Sequence, residues 1–122
     1  MVYPKNEPTR KETLEALRKS IAKWKRLSEG RGVDRGHDNC ALCALFCPGR
    51  HALCGNCPVR EYSGWSNCQV TPYGDWLDAE RVSGQMPKFN GGMRPTTARL
   101  RKAALQEYKY LLEVRKYFKE NS

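Results

Sequence analysis

Six cysteines fall at positions 40, 43, 47, 54, 57 and 68, and the remainder of the 122-residue chain has none. They form two C-x-x-C pairs ten residues apart, Cys40-Ala-Leu-Cys43 and Cys54-Gly-Asn-Cys57, with Cys47 between them and Cys68 ten residues further on. Such crowding points to a metal or to disulfides, and the expected compartment decides between them. Residues 1–8 lack the apolar core of a signal peptide, so a reducing cytoplasm is expected and the thiols should stay reduced. Tetrahedral Zn²⁺ takes four ligands at about 2.3 Å from sulfur, and a C-x-x-C turn places two thiolates on one ion. Gly55 and Asn56 suit the tight turn of the second pair.

The candidate metal ligands are Cys40, Cys43, Cys54, Cys57 and Cys68, five for four positions. Either the two pairs bind together, or the first pair binds with Cys57 and Cys68. Cys47, followed by Pro48, breaks the paired pattern and reads as a small buried apolar residue. His37 is a possible ligand or a donor to one, although a histidine in such a loop is more often simply exposed. An iron–sulfur cluster is the weaker alternative. Cys40-x2-Cys43-x3-Cys47-Pro48 reproduces only part of the ferredoxin run.

Around this stretch the periodicity is helical. Thr9-Arg10-Lys11-Glu12 has the capping-box pattern, and Leu14, Leu17, Ile21 and Trp24 recur at helical spacing with Leu27 beside them. The pattern predicts a helix over 9–29, with Arg10, Lys11, Lys19, Lys23 and Arg26 on the opposite face. Gly30 and Gly32 end it. The Gly-rich residues 30–39 lack the Gly-Lys-Ser/Thr ending of a phosphate loop. A cysteine-rich module follows over 37–72. A short helix is then predicted over 72–82, from Thr71 as cap, Pro72 in the first helical position and Asp75 in the first turn. Trp76 and Leu77 should seat it on the metal module or the first helix. The alternative is an exposed aromatic patch with Tyr73 and Trp65.

Residues 83–95 read as a linker. Thr96 or Thr97 then caps a last helix over 96–120. Two apolar lines run along it: Leu100, Ala104, Tyr108, Leu111 and Phe118, and then Ala103, Tyr110, Val114 and Tyr117. Such a helix packs between two elements or offers one line to a partner. The fold expected is a mainly α, small single domain, with long N- and C-terminal helices around a cysteine-rich, zinc-stapled module. At 39% hydrophobic and 29% charged residues, a domain this polar calls for such a staple. The longest apolar run, around residues 41–47, is too short to span a membrane.

Net charge is +9, and it is segregated. Residues 1–31 carry +5, residues 32–94 are neutral and residues 95–122 carry +4. Basic ends on helices suit a polyanionic partner, whose binding would be salt-dependent and largely blind to sequence. They are equally consistent with a solubilising surface. No recognition helix follows the C-x-x-C pairs in the C2H2 manner. With two histidines, His37 and His51, the chain lacks the set an HNH nuclease needs. Its clustered thiols suit a metal better than nucleophilic catalysis.

At Cys40-x-Leu42-Cys43, Cys54-x-x-Cys57-Pro58-Val59, Gly64, Cys68 and Thr71-Pro72-Tyr73, the chain resembles a group of small uncharacterised tailed-bacteriophage proteins. These are similar in the leading helix too, here residues 12–24. The resemblance spans roughly residues 9–77 and reaches the last helix only loosely. Cys47 is not part of its pattern. It implies a phage-encoded, zinc-binding protein of the host bacterial cytoplasm and carries no activity with it.

The reading is therefore a non-catalytic zinc-binding phage accessory protein that binds nucleic acid through basic helices. The alternative is a protein-interaction module, in which the last helix and surplus aromatics bind a host enzyme or a defence or transcription factor.

Overall fold

Thr9 opens the first helix with both halves of a capping box. The Glu12 amide donates to Thr9 Oγ1 at 3.1 Å, and the Thr9 amide donates to Glu12 Oε1 at 2.8 Å. Helix α1, Arg10–Ser28, ends in an equally explicit stop. The Gly30 amide donates to Leu27 O and the Arg31 amide to Arg26 O, the paired bonds of a Schellman motif. That motif needs a left-handed residue just past the helix, and Gly30 supplies it at φ +86°.

A computed structural model describes residues 9–34, 40–46, 57–63, 71–83 and 97–121. Among these residues four further helices follow: α2 (Ala41–Phe46), α3 (Pro58–Ser63), α4 (Pro72–Ser83) and α5 (Ala98–Asn121). Thr71 Oγ1 accepts from the Tyr73 amide at the start of α4, and Thr97 Oγ1 accepts from the Leu100 amide at the start of α5. The described residues are mainly helical and contain no β-strand. No helix among them is long and apolar enough to cross a membrane. The linker expected over 83–95 lies outside the described residues beyond Ser83.

The long helices pack together and run antiparallel. Arg10 and Leu14, near the start of α1, share a groove with Arg115 and Lys119 at the end of α5, whereas Gly30 lies against Arg101 near the start of α5. Leu17, Ile21, Trp24 and Leu27 of α1 meet Leu100, Ala104, Leu111 and Val114 of α5 in one core. Of the two expected apolar lines of α5, Leu100, Ala104 and Leu111 of the first and Ala103 and Val114 of the second are buried, while Tyr110 is half-buried and Tyr117 exposed. Helices α3 and α4 pack on α5, and α2 packs on α1. Trp76 of α4 is fully buried, 5.1 Å edge-to-face from Trp24, with Tyr73 on the same ring at 5.7 Å. Each such pair contributes about 0.5–1.5 kcal/mol beyond its buried area.

Asp34 ties these parts together. Its carboxylate is buried and accepts hydrogen bonds from Lys23 Nζ at 2.7 Å, Tyr73 Oη at 3.1 Å and Trp76 Nε1 at 3.1 Å. Lys23, which the sequence places on the cationic face, is therefore buried and ion-paired, with its ammonium 5.0 Å from the Trp24 ring centroid. Lone burial of either charge would be prohibitive, so each residue is tolerated inside because of the other. Replacing Asp34 with Ala would leave the Lys23 ammonium buried without its counter-charge. We expect a loss of about 3–5 kcal/mol in urea unfolding. Lys23→Met/Asp34→Leu should recover much of that loss.

Candidate functional site

Cys40 stands immediately before α2, and Cys57 immediately before α3. The Ala44 amide donates to Cys40 O at 3.0 Å, so the first pair spans the opening turn of α2, with Cys43 as its third residue. Cys57 is buried and Cys40 half-buried, and both border the same core. One cysteine of each C-x-x-C pair thus borders the same core. Soft sulfur donors beside helix N-terminal amides, which favour negative charge, suit Zn²⁺. Cys54 and Cys68, with Cys47 and His37, lie outside the described residues, as does the side chain of Cys43. Among the described residues, no three Cys, His, Asp or Glu side chains converge on one point.

Next to Cys40 the core holds a second carboxyl group, that of Glu107 in α5, which is 5% exposed. Its Oε1 has no hydrogen-bond partner among the described residues. Burial, followed by the charge of Cys40 and in smaller measure of Asp34, pushes its pKa up to about 8 against the opposing pull of Lys23 and the Tyr73 amide. Near neutral pH this side chain is mostly a neutral acid.

Where α1 begins and α5 ends, the antiparallel arrangement creates a cationic groove of about 700 Å³. Arg10, Lys11 and Arg18 line it from α1, and Arg115 and Lys119 from α5. Leu14 contributes apolar floor, and Glu15 is the one carboxylate among these lining residues. Glu15 grips Arg18 through two hydrogen bonds of 2.9 and 2.6 Å, which hold the Glu15 carboxyl below its ordinary range and fix the direction of the guanidinium. The two basic segments, distant in sequence, therefore meet on one side of the molecule.

The exposed aromatics lie elsewhere. Tyr62 of α3 meets Tyr110 and Tyr117 of α5 edge-to-face at 5.4 and 5.3 Å. Its hydroxyl donates to Glu113, which raises the phenol above its usual value. At about 100° per residue, Tyr110 and Tyr117 flank one side of the buried stripe of α5, and Arg115 and Lys119 the other. Tyr73, which only the alternative reading put in an exposed patch, is half-buried on Asp34, and Trp65 lies outside the described residues.

Asp34 and Glu107 are the site residues that sequence reasoning missed. Asp34 gives no signal within a polar, Gly-rich loop. Glu107 does give one, because it occupies a register position between Ala104 and Leu111 in an otherwise apolar stripe. Comparison with protein families, curated proteins and solved structures yields no match for the chain.

Glu107 keeps its proton in the folded state up to about pH 8, whereas the unfolded chain releases it near 4.5. Its contribution to stability is complete below pH 4.5 and is lost as pH rises towards 8. Glu107→Gln keeps the shape and removes the titration. Thermal melts at pH 5.5 and 8 should therefore show the variant gaining on the parent as pH rises, by at most about 1.4 kcal/mol per pH unit. Parallel melting curves at the two pH values would refute this assignment.

Proposed function

We propose that the protein binds nucleic acid through the phosphate backbone, using the groove between the start of α1 and the end of α5. The observation that carries this reading is the convergence of five cations from both basic ends around one carboxylate. Backbone contacts from Arg and Lys position a protein on nucleic acid without reading its sequence. Among the described residues the groove is lined by cations and no aromatic side chain, which suits backbone contact over base stacking.

In this reading a structural zinc, held by four of Cys40, Cys43, Cys54, Cys57 and Cys68, fastens the cysteine stretch against the core. Zinc supplies folding energy and no chemistry, and the protein is a non-catalytic accessory factor. The sequence resemblance supports a phage-encoded protein of the host bacterial cytoplasm. One observation favours a second reading, binding to a host protein: the Tyr62, Tyr110 and Tyr117 edge, where Tyr62 and Tyr117 are exposed.

Fluorescence anisotropy on duplexes of arbitrary sequence tests the proposal. Four net cations give a slope of about −3.6 in log K against log salt, or roughly a 10²-fold loss of affinity between 50 and 200 mM. Negligible affinity at 50 mM salt would falsify the nucleic-acid reading. For the metal, about one zinc per chain is expected, and removal by a strong chelator should reduce helicity and melting temperature together.

A further inference from the structure

A second cationic groove, of about 650 Å³, lies on the other half of α1. Arg18 lines both grooves. Beyond it, Lys19, Lys23 and Arg26 follow along α1, and Cys40 and Ala44 form the opposite rim. No carboxylate is among its described lining residues. The charges differ in availability. Arg18 is held by Glu15 and Lys23 by Asp34, whereas Lys19 and Arg26 are exposed and make no ion pair among the described residues. At about 100° per residue, Arg10, Arg18 and Arg26 advance obliquely across the exposed face of α1. Arg18, common to both grooves, stands at the midpoint of this line.

We infer that a nucleic-acid backbone follows this whole path, from Arg10 past Arg18 to Arg26, with α2 of the cysteine stretch as its far wall. The inference rests on the backbone reading of the first groove and extends it. Sixteen residues of helix rise about 24 Å, and one strand of a duplex presents a phosphate about every 3.4 Å of axis, so the path matches about seven base pairs. Ala41 and Ala44 keep the α2 wall low, which lets a phosphate approach Lys19 and Arg26. The path ends against Cys40, which lines the second groove with Ala41 and Ala44. The cysteine stretch accordingly does more than brace the core: it bounds one end of the binding surface.

The test compares three double variants of the full chain on one 16-bp duplex, as DNA and as RNA, across 50–200 mM salt. Lys19→Ala/Arg26→Ala removes the second groove's available cations, and Arg115→Ala/Lys119→Ala removes the α5 side of the first. Lys102→Ala/Lys109→Ala removes two exposed cations of α5 that line neither groove. Circular dichroism checks that each retains its helices. Each groove variant should reduce the steepness of the salt dependence by about 1.8 and weaken binding about tenfold, with the third variant close to the parent. If Lys19→Ala/Arg26→Ala matches the parent while Arg115→Ala/Lys119→Ala does not, the extension is wrong and the first groove stands alone. Equal losses in all three would reduce the path to bulk charge and overturn it. No binding by the parent would remove both readings.

Discussion

A buried carboxylate can persist in a small helical domain only if its surroundings supply both counter-charge and hydrogen bonds, and Asp34 has the full set. It takes one donor from α1 and two from α4, while itself belonging to the link that follows the α1 stop. The Schellman turn at Gly30 returns the chain so that Asp34 can reach Lys23, which lies about a turn inside the helix end. Because Trp76 and Tyr73 are committed to the same carboxylate, the position of α4 depends on where α1 ends. Two ring contacts on Trp24 then make that placement rigid.

Antiparallel pairing of α1 and α5 has an electrostatic consequence. Like charges from the two ends of the chain are driven together at one end of the helix pair, which is unfavourable unless salt or a polyanion screens them. Glu15 offsets only part of this. This concentration of cations around one carboxylate, among the described residues, is the physical basis for proposing a polyanionic partner. The aromatic edge around Tyr62 occupies the other flank of α5, so the two surfaces can act independently.

Local features of the sequence were the most legible. Thr9 and Glu12 announce a helix start through contacts within one turn, and Leu17, Ile21, Trp24 and Leu27 announce its buried face through spacing alone. Thr71, Pro72 and Thr97 mark the starts of α4 and α5 in the same local way. What could not be read were pairings between distant residues. Lys23 looks like a surface cation until Asp34, eleven residues on, draws it inward. The segregation of charge was visible, but its convergence into a groove depends on helix direction, which composition does not encode. For the candidate metal centre, spacing nominates the donors, and the structure adds that Cys40 and Cys57 border one core.

The perpendicular pair Trp24 and Trp76 gives the molecule an optical signature of its own architecture. Two indoles locked 5.1 Å apart at 86° form a coupled, chiral chromophore, so their near-ultraviolet dichroism reports relative orientation and not helix content. Because Asp34 holds Trp76 by its indole nitrogen and Lys23 lies over Trp24, the same chromophore senses the buried ion pair. A state that kept its helices but lost this signal would be one in which α1 and α4 had parted, making the aromatic pair an internal gauge of whether the domain is assembled or merely helical.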